Sequence, residues 1–542
     1  MKSEKLSSLI ALAAFALALV PANLAAEEEM ANAKKPKHHH YKLIDLGTLG
    51  GPSAYKSVNA PGYQILNSTG IVSFGADTPL RDPNGPNLCY EPDCFVAHAT
   101  RWSKGAIADL GALPGNGNGS QSGAINARRW VTGQSENGEV DPLSGLPEVR
   151  GVLWKDEQII DLGTFGGNWS LGITLNDSGD VVGFAANSMP DPYSFFPPAG
   201  TQIHAFLWSK DVLHDLGTLG GDDSQATSIN QRGQVVGNSY TNTTANQTTG
   251  IPTVHPFLWD HGTMKDLGTL GGTYAGAGEC GFGAPCNIAN PFEGSLLVNN
   301  RGQVIGTSNL AGDQVFHPFL WERGIMQDLG TLGGDNGTAI WLSDTGEVVG
   351  EADLPTSPLG CSGLTCTHHA FLWKKGKMTD LGTLGSDPCS RALMSNAKGQ
   401  IVGTTIAICG YLSTHAFLSE SGGPMVDLET LVSSTSGASL FEADNINEGG
   451  EIVASGLPAG CSDRFSCGHL YLLIPCDDDH PDVEGCDYSM VEAAEVSSDT
   501  SATRAPQSTQ LSKEAIARMM SASRNPFMRR YRPTGLRPAP SN

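Results

Sequence analysis

The sequence predicts an all-β fold: a β-propeller of four-stranded blades, eight in number, with seven as the alternative. Three observations lead there. The stretch DLGTLGG begins at Asp45, Asp215, Asp266 and Asp328, and recurs as DLGTFGG at Asp161, DLGTLGS at Asp380, DLGALPG at Asp109 and DLETLV at Asp427. Successive copies lie 47 to 64 residues apart, so one small unit is repeated through most of the 542 residues. Such self-similarity decides the fold before any single residue does. Second, each unit reads as short strands joined by turns, with no helical period. Third, the two ends of the array are complementary halves of one hairpin.

The clearest unit runs HAFLWSKDVLHDLGTLGGDDSQATSINQRGQVVGNSY from His204. HAFLW alternates like a strand, and VLHDLGTL is its antiparallel partner across a short polar turn. ATSIN and QVVGNS then form a second pair around Gln231-Arg232-Gly233, where polar residues before glycine supply hairpin turn chemistry. Asn300-Arg301-Gly302, Asp344-Thr345-Gly346 and Lys398-Gly399 fill the same place in other copies. Four short strands cannot bury both faces alone, so neighbouring units must stack, and a propeller does this economically. A β-helix would show shorter repeats, and a solenoid would need caps.

The first unit opens with Tyr41-Lys42-Leu43-Ile44-Asp45, a second strand with no first. The last closes with His469-Leu470-Tyr471-Leu472-Leu473, a first strand with no second. Pairing the two would complete one blade from both ends of the array and remove the exposed edges that an open array carries. The expected organisation is a signal peptide over 1–26, a flexible linker over 27–40, and the propeller over 41–475. An acidic disulfide loop over 476–487 and a disordered tail over 488–542 follow.

HAFLW at His204 and His369, HPFLW at His255 and His317, DLGTLGG, and the N-x-x-G-x-V-V-G hairpin together resemble the bacterial HAF repeat family. The resemblance covers roughly residues 41–475. It implies a signal peptide and an extracellular location, and it brings no reaction and no catalytic residues. The first unit fits worst, with YKSVNAPGYQIL where a regular hairpin belongs and HATRW at its end.

The ends agree with export. Lys2 and Lys5 precede an apolar run from Leu9 to Val20, followed by Pro21 and small residues, a secretory pattern with cleavage expected after Ala26. The run is too short to span a bilayer, and no later segment is a transmembrane candidate. Twelve cysteines are read as six disulfides of short sequence span: Cys89/Cys94, Cys280/Cys286, Cys361/Cys366, Cys389/Cys409, Cys461/Cys467 and Cys476/Cys486. Irregular spacing and the lack of C-x-x-C argue against a metal cluster. The formal charge of −23 argues against nucleic acid as a partner. The tail carries a possible short helix, SKEAIARMMSAS, then Arg529, Arg530, Arg532 and Arg537, and is a candidate contact for anionic envelope components.

Recurrent polar residues are read as structural. His98, His204, His255, His317, His369, His415 and His469 occupy one position, and each faces the Asp of its hairpin: Asp215 for His204, Asp266 for His255, Asp328 for His317, Asp380 for His369. Arg150 stands in the remaining unit and is expected to keep a cation near Asp161. WD-repeat propellers resemble this in using a His and an Asp within each blade. Trp102, Trp154, Trp208, Trp259, Trp321 and Trp373 share a phase that suits packing between blades. The GTLGG glycines precede strands and lack a nucleotide-binding pattern.

Insertions cluster between the V-V-G strand and the next HAFLW strand, so the long loops must gather on one face, the natural place for binding. Tyr193, Phe195 and Phe196, in a proline-rich insertion, are the ligand-binding candidates, as exposed aromatics able to stack on a sugar or enter a protein partner. Asp477, Asp478, Asp479 and Asp482 in the acidic loop are weak calcium candidates, although the EF-hand order is absent. No other cofactor is expected, and no catalytic constellation stands out. The expected function is a non-enzymatic exported scaffold that binds an extracellular protein or glycan. The alternative is a propeller glycoside hydrolase or lyase acting on polysaccharide. A quinoprotein-type redox role lacks the tryptophan-docking repeat.

Overall fold

A computed structural model of the chain describes residues 37–492 apart from 57–62, 86–88, 90–92, 116–117, 197–199, 248–249, 277–294, 358–366, 410–411 and 433–436. The secretory pattern, the basic tail, and Cys280, Cys286, Cys361 and Cys366 lie outside the described residues. Among the described residues, apart from a 3-10 turn at Leu428–Leu431 and a helical turn at Arg464–Cys467, the regular structure is strand. No helix among the described residues is long and apolar enough to cross a membrane.

The repeat folds into sheets of four antiparallel strands. In the fourth unit Ser224–Ile229, Val235–Tyr240, Val254–Asp260 and Thr263–Asp266 pair in chain order. Six such four-stranded sheets form, and a nine-stranded sheet joins two more sets through one parallel pair, Val254 opposite Tyr274. The innermost strand of the fifth unit is divided into Gly271–Gly276 and Leu297–Val298. Because neighbouring strands run antiparallel, the Asn-x-x-Gly turns leave one end of every sheet, while the long insertions and the DLGTLGG turns leave the other.

Each residue of the repeat has a packing reason. Phe206, Phe257, Phe319, Phe371 and Phe417 are fully buried, each contributing roughly 1.5–3 kcal/mol by removal from water. Phe257 lies opposite Gly237, beside a register shift between Ala226 and Ser228. A Cβ on Gly237 would stand 2.0 Å from the Gln225 carbonyl, so only glycine fits the bulge. Trp102, Trp154, Trp208, Trp321 and Trp373 are buried. Trp208 shares one cluster with Ala124, Leu153 and Leu162 of the second unit, so the aromatic joins successive sheets.

In DLGTLGG, Thr218 donates its hydroxyl to the Gly221 carbonyl at 2.8 Å and accepts from the Gly220 amide at 3.2 Å. Gly217 and Gly220 have φ of 78° and 116°, a region that favours glycine. Serine then stitches one sheet to the next. Ser224, at the head of the fourth unit, donates to the Gly217 carbonyl at 2.6 Å and accepts from the Ala205 amide at 2.9 Å, both in the third unit. Ser120 and Ser390 repeat the pattern.

Tyr41–Asp45 pairs antiparallel with His469–Pro475, Tyr41 opposite Pro475 and Asp45 opposite Tyr471. This sheet continues through Ile452–Leu457 to Ser439–Ile446. The boundaries set for the linker and the tail need correction. Lys37–His39 forms a strand paired with Met490–Glu492, and His38 Nδ1 lies 2.9 Å from Glu420, so contact with the array orders both flanks. Disulfides join Cys89–Cys94, Cys389–Cys409, Cys461–Cys467 and Cys476–Cys486.

Candidate functional site

The repeated histidines are tied up within their hairpins. His98, His204, His255, His317 and His369 place Nδ1 2.8–3.0 Å from Asp109, Asp215, Asp266, Asp328 and Asp380. His415 lies 3.1 Å from Asp427, and His469 reaches Asp45 at 2.9 Å across the junction of the terminal strands. The same carboxylates accept the amide two residues on, as Asp215 does from Gly217 at 2.8 Å. Burial pushes the Asp215 carboxyl up, but the His204 and Gly217 hydrogen bonds outweigh it and hold the group below its ordinary value. Arg150 does not take the imidazole's place: it pairs with Glu148 at 3.3 Å, on its own strand. Asp161 accepts from Gly163. A guanidinium two residues from a carboxylate on the same face of a strand has a nearer partner than one across the hairpin.

The aromatic candidates also need correction. Phe195 and Phe196 are 2% and 0% exposed, and Tyr193 is half-buried against the same core. Phe196 packs between Trp169 and Phe184, with ring centroids at 5.6 and 5.3 Å, and Phe195 lies 4.2 Å from Tyr240. Asp223 of the next unit accepts the Phe195 and Ile203 amides and draws the loop inward. Apolar burial therefore fills a gap between the third and fourth units instead of building a platform.

In the acidic loop, Asp477 accepts from the Asp479 and His480 amides and lies 2.7 Å from His480 Nδ1, while Asp479 bonds Lys398 at 2.8 Å. These two carboxylates are thus engaged with protein partners. Among the described residues the one cluster with metal-ligand spacing is His368, Cys389 and Cys409, and its two sulfurs are joined in a disulfide.

What the repeat does not account for is a set of buried and partly buried charges on and beside the innermost strands. Lys56 of the first unit bonds Glu442 and Asp444 of the last. Ser413 donates to Glu442 at 3.0 Å and Ser455 to Asp444 at 2.7 Å. Arg464 donates to the Ser413 carbonyl at 3.0 Å with its guanidinium over the Phe441 ring, 4.5 Å from the centroid. Beside them Arg391 bonds Glu351 at 2.9 Å, and His368 Nε2 lies 3.4 Å from the same carboxylate. Burial raises both Glu442 and Asp444. For Glu442 the Lys56 ammonium reverses the shift and holds it ionised, whereas Asp444 stays well above its usual range beside the Glu442 charge. Desolvation, with Arg391 nearby, lowers His368 to about 3, so its ring is neutral at physiological pH.

The sequence does carry a trace of this cluster. Ser390-Arg391 aligns with Ser224-Gln225 on the innermost strand, so Arg391 is a charge where another unit has an amide. Lys56 and Glu442 lie 386 residues apart, and no local pattern links them.

At the opposite end of the sheets, the inner turns meet in a relay of side-chain amides. Asn67 donates Nδ2 to the Asn126 carbonyl, Asn126 to Asn176, Asn176 to Asn230, Asn230 to Asn299, and Asn299 to Ser343. Asn396 donates to Asn447, and Asn447 to Asn67. Within each turn the same Asn accepts through Oδ1, as Asn230 does from Arg232 and Gln234 at 3.0 Å each. Residues of this relay, with Tyr63, Trp341 and Glu448, line a cavity of about 280 Å³.

No protein-family model and no curated protein matches the chain. Several solved β-propeller structures align with it at low similarity. The β-propeller domain of the Trilobed protease from Pyrococcus furiosus is 11% identical, covers 60% of this chain and 84% of its own, and gives a TM-score of 0.34. A polysaccharide lyase, the PL25 ulvan lyase, is 10% identical over 81% of this chain and 96% of its own, with a TM-score of 0.35. TolB from Acinetobacter baumannii is 11% identical over 66% and 78%, with a TM-score of 0.26. The chain described here is an all-β, propeller-like array of four-stranded antiparallel sheets.

Proposed function

We propose that this chain is an exported, closed eight-bladed propeller of HAF-type repeats that binds an extracellular glycan or protein at its long-loop face. Closure is supported by the pairing of Tyr41–Asp45 with His469–Pro475 and by the amide relay that returns from Asn447 to Asn67. Export is supported by the secretory pattern at the N-terminus and by four disulfides, bonds that persist in oxidising compartments. The observation that carries the binding role is the Lys56–Glu442–Asp444 group with Arg464 beside it, at the long-loop end of the innermost strand. Buried ion pairs stabilise weakly against their desolvation, so such a group at one place in a repetitive fold has a use beyond folding. A glycan array probed with the full chain tests this. Binding that falls at least tenfold in Glu442→Gln, with the circular dichroism unchanged, supports the reading, and unaltered binding rejects it.

One observation favours a second reading, a glycoside hydrolase or lyase. Glu442 and Asp444 have environments that push their ionisation apart, which is how one site supplies both a proton donor and a carboxylate base. Incubation with extracellular polysaccharides, followed for reducing ends or unsaturated uronides, separates the readings. Product formation abolished by Asp444→Asn establishes the enzyme, and its absence across the panel leaves the scaffold.

A further inference from the structure

We infer that the axial cavity at the Asn-turn end is a second binding site, one that takes a single neutral sugar or similar polyol ring. It is independent of the long-loop face and lies at the other end of the sheets.

One unit breaks the amide relay at the wall of this cavity. The sixth unit has Ser343 where the others have Asn, and the Ser343 hydroxyl turns back to Thr345 at 2.8 Å and the Glu347 amide at 3.0 Å. A serine is too short to reach the Asn396 carbonyl, so that link is missing. Two residues earlier, Trp341 fills the position held by Ser228 in the fourth unit and Thr174 in the third. Its indole nitrogen donates to the Ser395 carbonyl at 2.9 Å, which fixes the ring at the cavity wall while leaving it half-buried. Trp341 is one of three tryptophans outside the repeated position, and it lines the cavity while packing against the apolar clusters of neighbouring units.

The chemistry of the wall then selects the ligand. Trp341 and Tyr63 are the aromatics, and around them stand hydroxyl and amide groups such as Thr227 and Gln64. The Ser395 hydroxyl, on a residue 4% exposed, has no hydrogen-bond partner. The charged residues in the wall are Asp344 and Glu448, with no lysine or arginine, so an anionic ligand is disfavoured. Apolar ring faces flanked by hydroxyls match a pyranose, whose C–H face stacks on indole. The volume of about 280 Å³ is large enough for one such ring.

Calorimetric titration of the full chain with glucose, galactose, mannose, N-acetylglucosamine and glucuronate tests the site. At least one neutral sugar should bind saturably, with glucuronate at least tenfold weaker and Trp341→Leu losing at least tenfold. Ser343→Asn provides a variant that should fold at least as well as the parent. Its amide completes the relay to Asn396, so the melting temperature should rise while sugar binding falls. No heat from any neutral sugar, glucuronate binding as well as glucose, or Ser343→Asn binding unchanged would each overturn the proposal.

Discussion

Asn447 Nδ2 lies 3.1 Å from the carbonyl oxygen of Asn67, a residue 380 positions earlier. This bond belongs to the same relay that links Asn230 to Asn299 between successive units. A contact between the last inner turn and the first therefore has the geometry of a contact between neighbours.

If the relay is continuous, Asn447→Ala and Asn230→Ala should cost the same. Both amides are buried, and losing one while stranding its partners costs about 1–3 kcal/mol. Urea unfolding measures both losses. A near-zero effect at Asn447 beside a full effect at Asn230 would mean that the array is open at its ends.

The hairpin pairs should add a modest, acid-sensitive increment. His255→Ala is expected to cost less than about 1 kcal/mol, because the Asp266 partner is 46% exposed and the interaction is screened. Asp45, Asp109, Asp215, Asp266, Asp328 and Asp380 are all held below their ordinary value in the fold. A depressed carboxyl contributes stability above its unfolded pKa, near ~3.9, and loses it as pH falls through the lower folded value. Thermal melts should therefore drop steeply below about pH 4, and His255→Ala should drop less steeply.

The last glycine of the motif, Gly221, should be the least replaceable. A Cβ on Gly221 would stand 2.3 Å from Tyr240 Cβ and 2.6 Å from the Asn242 carbonyl. Gly221→Ala is expected to lower stability by about 1–3 kcal/mol through backbone displacement. Differential scanning calorimetry reads this, and an unchanged midpoint would show that the close approach relaxes freely.

The two carboxyls bound to Lys56 should respond differently to amidation. Asp444, pushed up to about 7 by burial and by the neighbouring carboxylate, is only about half ionised at pH 7, so Asp444→Asn should cost less there than Glu442→Gln. Glu442, held ionised by Lys56, should lose stability on Glu442→Gln. Lys56→Met should cost about 1–3 kcal/mol, below the range for a fully buried pair because Lys56 is 38% exposed. Equal effects of Asp444→Asn and Glu442→Gln on the urea midpoint would contradict this assignment.

Much of the strand pattern was legible because its causes are local. HAFLW alternation, the polar-glycine turns and the DLG hairpin each depend on residues within one unit, and the half hairpins at Tyr41 and His469 could be matched by inspection. The site was less legible. Tyr193, Phe195 and Phe196 looked like a platform in a polar loop, yet Asp223, in the next unit, draws them into a core. Arg150 looked like a substitute for imidazole, yet Glu148 on its own strand is the nearer partner. Both errors came from judging a side chain without the neighbouring groups that compete for it.

By itself the sequence determined the unit, its four strands and the turns between them, because backbone preference and the alternation of apolar residues act over a few positions. Only the tertiary structure decided which polar groups lose water and whom they then meet. Lys56 with Glu442, Asn447 with Asn67, and Trp341 beside Ser395 are pairings across units. Their partners are chosen by desolvation and reach in three dimensions, which leave no period in the chain.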